Sequence, residues 1–120
     1  MKKISNIYKT FDIVVVPFPF TDNVHAKNRP AVVISSYDYF NNSAEHSILA
    51  MITSSHHNPW PLDIPIKNLK SSGLEKTSII RLKLFTLDHR IILKKVGKLS
   101  LIDQKNLKKN FALAFNEIGD

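Results

Sequence analysis

The chain contains no cysteine and only three glycines, and both shortages exclude kinds of site. Without cysteine it can form no disulfide, no thiolate zinc site and no thiol nucleophile. It has no Gly-rich phosphate loop, and no Gly-x-Ser-x-Gly motif marks a serine nucleophile. The composition is compatible with a reducing compartment such as the cytoplasm.

Long hydrophobic runs are also missing. No segment approaches the ~18 consecutive apolar residues of a transmembrane helix, and the basic residues 1–9 include no uninterrupted apolar region. We therefore expect a cytoplasmic protein with no membrane partner. A chain of 120 residues buries roughly 65% of its unfolded surface, enough for one core. Residues 1–120 are expected to form a single domain.

The histidines are not arranged as metal ligands. No two of them stand at a helical i, i+4 spacing with a carboxylate partner, and the adjacent pair would point to opposite faces of a strand. They are His25, His46, His56, His57 and His89. We therefore predict neither a metal site nor a cofactor.

Acidic residues are outnumbered by basic ones. Seventeen Lys and Arg against ten Asp and Glu give a net charge of +7. This balance favours a polyanionic partner such as a nucleic acid. Most of the basic residues are scattered lysines, a pattern that overall composition bias also produces.

Six short runs rich in β-branched and aromatic residues are separated by polar or Gly- and Pro-containing segments. They lie at 11–16, 31–36, 48–53, 62–66, 77–87 and 92–98. Pro17 and Pro19 cannot donate to a ladder, so the first run is expected either to stop there or to lie at a sheet edge. Single helical turns at 37–42 and 67–71 are too short for βαβ crossovers. The pattern predicts a mainly β fold, a small antiparallel barrel.

The C-terminal segment predicts one longer helix. Ser100 is a suitable N-cap, with Asp103 three residues later as the acid of a capping box. Apolar residues at 107, 111, 114, 115 and 118 fall on one helical face. We expect this face to pack on the barrel or on a second subunit.

Arg29 is one of only three arginines, and it lies where the polar segment 21–28 meets an apolar run. Thr53 and Ser54 end another apolar run. If the two runs pair antiparallel, the hydroxyls come beside the guanidinium and supply donors for a phosphate. Two other interpretations stay open: Arg29 in a surface ion pair, and the hydroxyls as part of a turn.

Seven segments, taken in order, resemble the MazF/PemK-type toxins. They are FDIVVVPFPFTD at 11–22, NRPAVVIS at 28–35, AMITS at 50–54, GL at 73–74, SIIR at 78–81, LFTLD at 84–88 and VGKLS at 96–100. Each is weak alone, but their order and separations fit the family over nearly the whole chain. The resemblance implies a small SH3-like antiparallel barrel with a C-terminal helix, the fold of CcdB-like and MazF-like toxins.

The resemblance also implies an activity. Toxins of this kind belong to type II toxin-antitoxin systems, are usually homodimers, and are held inactive by a cognate antitoxin. They cut single-stranded RNA at short sequences without a metal ion. The ribose 2′-OH attacks the adjacent phosphorus and leaves a 2′,3′-cyclic phosphate and a 5′-OH. This reaction needs a base, an acid and donors that stabilise negative charge.

The resemblance assigns catalytic candidates residue by residue. Arg29 corresponds to the family's Arg-Pro arginine, the expected charge stabiliser. Thr53 corresponds to its strand-end threonine, which would hydrogen-bond the scissile phosphate, with Ser54 beside it. Arg81 corresponds to an arginine used by the PemK/Kid branch.

The sequence departs from that branch at the candidate base. Lys83 stands where the branch carries an aspartate two residues after the arginine. His25, in the loop before Arg29, is our candidate proton acceptor, because histidine titrates near neutral pH.

The candidate RNA-binding residues are aromatic or cationic and lie near the proposed site. Aromatic rings stack unpaired bases, and cations contact the RNA backbone. The candidates are Phe18, Phe20, Lys27, His56, Trp60 and Lys83. Phe18 and Phe20 alternate along the chain, so at least one of them is expected to fill the core.

Two alternatives to an active ribonuclease stay open. One is a non-enzymatic, CcdB-like toxin that binds DNA gyrase on the same fold. The other is a catalytically inactive relative that binds nucleic acid, in which Lys83 marks lost chemistry.

Overall fold

The computed structural model describes residues 7–19, 27–54 and 58–119. Six antiparallel strands form one sheet in the order β4-β5-β3-β2-β1-β6, curled into a half-barrel with a C-terminal helix. The strands are β1 (Asp12–Phe18), β2 (Lys27–Val33), β3 (His46–Thr53), β4 (Ile64–Pro65), β5 (Ile79–Asp88) and β6 (Lys94–Lys98). This confirms the predicted mainly β, antiparallel architecture.

Of the two arrangements expected at the prolines of β1, the edge position is the one observed at Pro17, and the strand extends to Phe18 rather than ending at residue 16. The strand continues through Pro17, which pairs with Asn28 of β2. On its other side, the pairing with β6 runs only from Asp12 to Val15. Beyond Val15 the strand therefore has one hydrogen-bonded neighbour, and an edge of this kind tolerates a residue that cannot donate.

The sheet has two buried faces. On one, which we call the helix face, Ile13, Val32, Ala50 and Ile80 pack with Leu107 of the C-terminal helix. On the other, the front face, five fully buried side chains form a second cluster around which Tyr8, Leu87 and Ile92 pack. The five are Val14, Val16, Ala31, Val33 and Leu49. Strand alternation separates the two sets, because successive side chains project to opposite faces.

Helical segments are short except for the last. A π-helical turn (Tyr37–Asn41) leads into α1 (Asn42–Ala44), α2 spans Leu69–Ser72, a 3₁₀ turn spans His89–Ile91, and α3 spans Leu101–Ala114. Ser100 caps α3 by accepting the Asp103 amide, as predicted. α2 ends at Gly73, whose φ of 77° is left-handed and suits glycine.

Of the apolar stripe predicted at 107, 111, 114, 115 and 118, only Leu107 is buried. Leu107 is 2% exposed and Phe111 is 36% exposed, whereas Ile118, 81% exposed, lies beyond the end of α3 at Ala114. The stripe outruns the sheet because α3 contacts mainly the two-residue strand β4. Packing of the remaining stripe on a second subunit stays a prediction.

Asp103 connects α3 to the loop before α2. Its buried carboxylate accepts hydrogen bonds from the backbone amides of Lys67 (2.8 Å) and Asn68 (3.0 Å) and from the Ser100 hydroxyl (3.1 Å). The acid predicted for a capping box thus satisfies donors of a different segment.

We expect Asp103→Ala to lower the free energy of unfolding by about 3 kcal/mol, because two part-buried backbone amides lose their charged acceptor and the buried side chain leaves a space. Urea denaturation measures the change. Glu117→Ala, which removes an exposed carboxylate beyond α3, should change it by less than about 0.5 kcal/mol. Equal stability of the two variants would contradict the structural role of Asp103.

Candidate functional site

Two cationic side chains and an aromatic ring share the front face where β1 and β2 meet their connecting loop. Phe18 is directly opposite Lys27, and Val16 is directly opposite Arg29. Opposite residues of antiparallel strands project to the same side of the sheet. Phe18, Lys27 and Arg29 therefore lie on the face of the buried Val16.

Thr53 reaches the same face from the neighbouring strand. Ala31 of β2 pairs with Met51 of β3. If this register is continued for two residues beyond its last pair, Arg29 and Thr53 take facing positions on the front face, and both residues line one cleft. The antiparallel arrangement expected from the sequence is thus present.

Arg29 differs from the other two arginines of the chain. Arg81 is bidentate to Asp63, and Arg90 is bidentate to Asp88. Arg29 is exposed, and within residues 7–19, 27–54 and 58–119 no carboxylate lies within ion-pair distance of it. Within these residues the Arg29 guanidinium forms no ion pair with an Asp or Glu side chain.

Arg81 lies on the front face one strand beyond Thr53, since it pairs with Met51. Its Nε and Nη2 donate to the two carboxylate oxygens of Asp63 at 3.1 and 2.9 Å, and its guanidinium carbon is 5.4 Å from the centre of the Trp60 ring. Burial raises the pKa of Asp63, but hydrogen bonds from Arg81 and the Trp60 amide outweigh it, so this pKa lies below its ordinary value. The Asp63 hydrogen bond raises the pKa of Arg81.

Lys83 stands at an irregularity of β5. Ala50 pairs with Leu84 but Met51 with Arg81, so β5 carries extra residues at this point. Bulges of this kind redirect side chains. The Lys83 ammonium lies 5.7 Å from the centre of the Phe18 ring, which places it beside the cations of β2.

A cleft of about 430 Å³ opens at the same strand ends. Arg29, Thr53 and Ser54 all line it, but alternation assigns the Ser54 side chain to the helix face, opposite to Thr53. Its other walls come from the segment after α2 and from β6, and include Lys76, Ser78 and Lys94. The cleft therefore combines hydroxyls and cations with the carboxylate of Glu75 and with apolar side chains of the helix-face cluster, such as Ile52 and Val96.

Three predicted site residues lie outside the described residues. They are His25, Phe20 and His56.

Sequence reasoning missed Asp63. Once β4 pairs with β5 through Ile64 and Ile80, the antiparallel register puts Asp63 opposite Arg81. The sequence held one sign of this ion pair: an acid just before a predicted strand and an arginine in the next strand. Recognising the pair required the register between the two strands, which the sequence alone did not specify.

Within the described ranges, no group of three or more His, Cys, Asp or Glu could hold a metal ion. Among the same residues, no helix combines the length and apolar character needed to cross a membrane.

Comparison with known proteins gives one family and one fold. The model of a family described as "PemK-like, MazF-like toxin of type II toxin-antitoxin system" matches residues 9–115. No curated protein matches the chain in sequence.

Solved structures of low sequence identity share the fold. A mycobacterial endoribonuclease in complex with its cognate antitoxin has a TM-score of 0.72 at 12% identity, over 93% of this chain and 96% of that one. MazF from Deinococcus radiodurans has a TM-score of 0.72 at 13% identity, over 93% and 99%. MazE-MazF from the same organism has 0.71 at 15%, over 92% and 98%.

Proposed function

Since this chain belongs to the PemK-like, MazF-like toxins of type II toxin-antitoxin systems, we propose that it is a sequence-specific endoribonuclease that cuts single-stranded RNA without a metal ion. The observation that carries the proposal is the position of Arg29. An exposed arginine without a carboxylate partner in the described chain stands beside Thr53, on a face that also carries Lys27 and Lys83. Such a cluster favours a phosphodiester chain.

In the proposed reaction the ribose 2′-OH attacks the adjacent phosphorus, a new P–O2′ bond forms and the P–O5′ bond breaks. Negative charge grows on the non-bridging oxygens, where the Arg29 guanidinium donates two N–H groups and the Thr53 hydroxyl donates a third hydrogen bond. The nucleophile belongs to the RNA itself. The products are a 2′,3′-cyclic phosphate and a 5′-OH end.

A base must accept the 2′-OH proton, and an acid must protonate the leaving 5′-oxygen. Asp63 is a poor base, because its lowered pKa and its two hydrogen bonds from Arg81 keep it ionised and occupied. Lys83 replaces the aspartate of the related branch. We assign the base to His25, and Arg29 is the candidate proton donor to the leaving oxygen.

Base selection is assigned to the aromatic and cationic groups around this face. Trp60 is 43% exposed and Phe18 lies under Lys83, so both rings stand among cations that can bind the backbone. Lys27 lies opposite Phe18 at the start of β2, and Phe20 and His56 are assigned on the sequence alone.

The proposal includes an antitoxin partner and a homodimer in the cytoplasm. Two of the similar structures are toxins solved with an antitoxin. An acidic antitoxin segment would bind the same cations as RNA does and would cover Arg29.

Purified protein is expected to cut a long unstructured RNA at discrete positions in EDTA, leaving 2′,3′-cyclic phosphate and 5′-OH ends that mass spectrometry identifies. A DNA strand of the same sequence is the matched control, and it should stay whole because it lacks the 2′-OH. Intact RNA together with inhibited gyrase supercoiling would replace the nuclease proposal by the gyrase-binding one.

A further inference from the structure

Arg81 is immobilised by a short segment of chain. Asp63 accepts hydrogen bonds from both its Nε and its Nη2, and the Trp60 ring covers one side of the guanidinium. The side chains of Arg81 and Asp63 are each only 13% exposed. The long arginine side chain is thereby restricted to one orientation.

The segment that holds Arg81 is itself anchored. The Asp63 carboxylate also accepts the Trp60 amide at 2.9 Å, and the Asp63 amide donates to the Trp60 carbonyl at 3.4 Å, which closes a turn. From α3, the Asn110 side-chain amide donates to the Leu62 carbonyl at 3.0 Å. The carboxylate thus has a defined position relative to both the sheet and the helix.

The ion pair with Asp63 uses only some of the N–H groups of the Arg81 guanidinium. Asp63 uses Nε and one N–H of Nη2, so both N–H groups of Nη1 and the second of Nη2 have no part in the pair. These donors form a fork that matches two oxygens of a phosphate. Arg81 shares the front face with Arg29 and Thr53, about two strand spacings, or ~10 Å, from β2.

A second Arg–Asp pair among the described residues, between Arg90 and Asp88, is more exposed than the Arg81 pair. Arg90 is bidentate to Asp88, but its side chain is 89% exposed. A flexible exposed pair of this kind contributes little. Burial and the covering tryptophan distinguish the Arg81 pair.

We propose that Asp63 is the positioning residue of Arg81. It orients the guanidinium so that the remaining N–H groups of Arg81 bind a phosphate of the RNA backbone, next to the phosphate bound by Arg29. Because the arginine is oriented before RNA arrives, binding costs less side-chain freedom. This assignment rests on the proposed function, since it takes RNA as the ligand of the front face.

The test measures binding of a 2′-O-methyl RNA, which cannot be cut, by fluorescence anisotropy. Asp63→Asn and Arg81→Ala should each weaken binding about 10-fold, and the double variant should bind no more weakly than Arg81→Ala, as coupled neighbours do. Asp88→Asn, the matched change in the exposed pair, should bind like wild type. Thermal melts establish that each variant is folded.

Two results would overturn the assignment. One is wild-type affinity in Asp63→Asn. The other is a further loss when Asp63→Asn is added to Arg81→Ala, since a residue that merely supports the fold acts without Arg81. If Asp63→Asn fails to fold, Asp63→Glu, which keeps the charge and displaces it by one methylene, is compared in both backgrounds in its place.

The same experiment separates this assignment from the nuclease proposal. If the wild type binds the RNA analogue, the variants show the coupled losses and ordinary RNA stays intact, the role of Asp63 is supported and the nuclease proposal is contradicted. If ordinary RNA is cut and the Asp63 variant binds normally, the reverse holds. If the wild type does not bind the analogue, both fall.

Discussion

Replacing Arg29 by alanine is expected to lower the rate of RNA cleavage by about 10³-fold, the effect of removing a donor that stabilises transition-state charge. Arg29 is exposed and has no ion-pair partner in the described chain. Its loss should therefore change the free energy of unfolding by less than about 0.5 kcal/mol. A large kinetic effect with an unchanged melting curve is the result that a catalytic guanidinium predicts.

Single-turnover cleavage of a short RNA, with enzyme in excess, measures the chemical step. Arg90→Ala removes an equal charge from an exposed site outside the proposed cluster and should cleave at the wild-type rate. Arg29→Lys keeps the charge but loses the planar fork, so it should recover only part of the activity. An Arg29→Ala variant as fast as Arg90→Ala would remove Arg29 from the mechanism.

Gly97→Ala is expected to lower the free energy of unfolding by about 3 kcal/mol or more. The end of α2 packs directly on the backbone of β6 at this residue. An added Cβ would lie 2.3 Å from the carbonyl oxygen of Ser72 and 2.7 Å from that of Ser71. Backbone atoms cannot rotate away as a flexible side chain can, so the helix must move or the strand must bend.

The contact is reciprocal. A Cβ on Gly73 would lie 2.1 Å from the carbonyl oxygen of Val96, and the left-handed φ of 77° adds strain. Because residues from Gly73 to Lys76 line the cleft beside Arg29, displacement of this segment should also reduce cleavage.

Thermal unfolding followed by circular dichroism measures the effect, which should exceed about 10 °C in Tm for Gly97→Ala. Gly119→Ala is the matched control, since its Cβ would meet no atom closer than 3.8 Å. A Tm for Gly97→Ala within about 2 °C of this control would show that α2 and β6 separate easily.

Much of the fold followed from local patterns. Six strands and the Ser100 cap are present as predicted, because β-branched runs and capping residues act within a few positions of themselves. The bounds of the second strand were wrong: β2 spans Lys27–Val33 rather than 31–36, since pairing with β1 extends it into the polar residues before Arg29. The sequence left open whether β1 stops at Pro17 or lies there at an edge. Whether a proline is tolerated in a strand depends on the neighbouring strand, which local sequence does not specify.

The candidate site divides in the same way. Predicting that Thr53 and Arg29 lie at the same end of the sheet required only that two adjacent runs pair antiparallel, as β2 and β3 do. Asp63 was missed because its position opposite Arg81 depends on the register between β4 and β5. The strand β4 consists of two residues, Ile64 and Pro65. So short a strand carries too little pattern to specify a register.

By itself, the sequence determined the family, the antiparallel architecture, the basic charge and the residue types available for chemistry, since these depend on composition and local order. Only the tertiary structure decided whether the side chains of Arg29 and Arg81 form ion pairs with carboxylates. Arg81 binds Asp63, 18 residues away in the sequence, while Arg29 meets no carboxylate in the described chain. Side chains far apart in sequence become partners only through strand register and burial, because ion pairs act over a few ångströms of space.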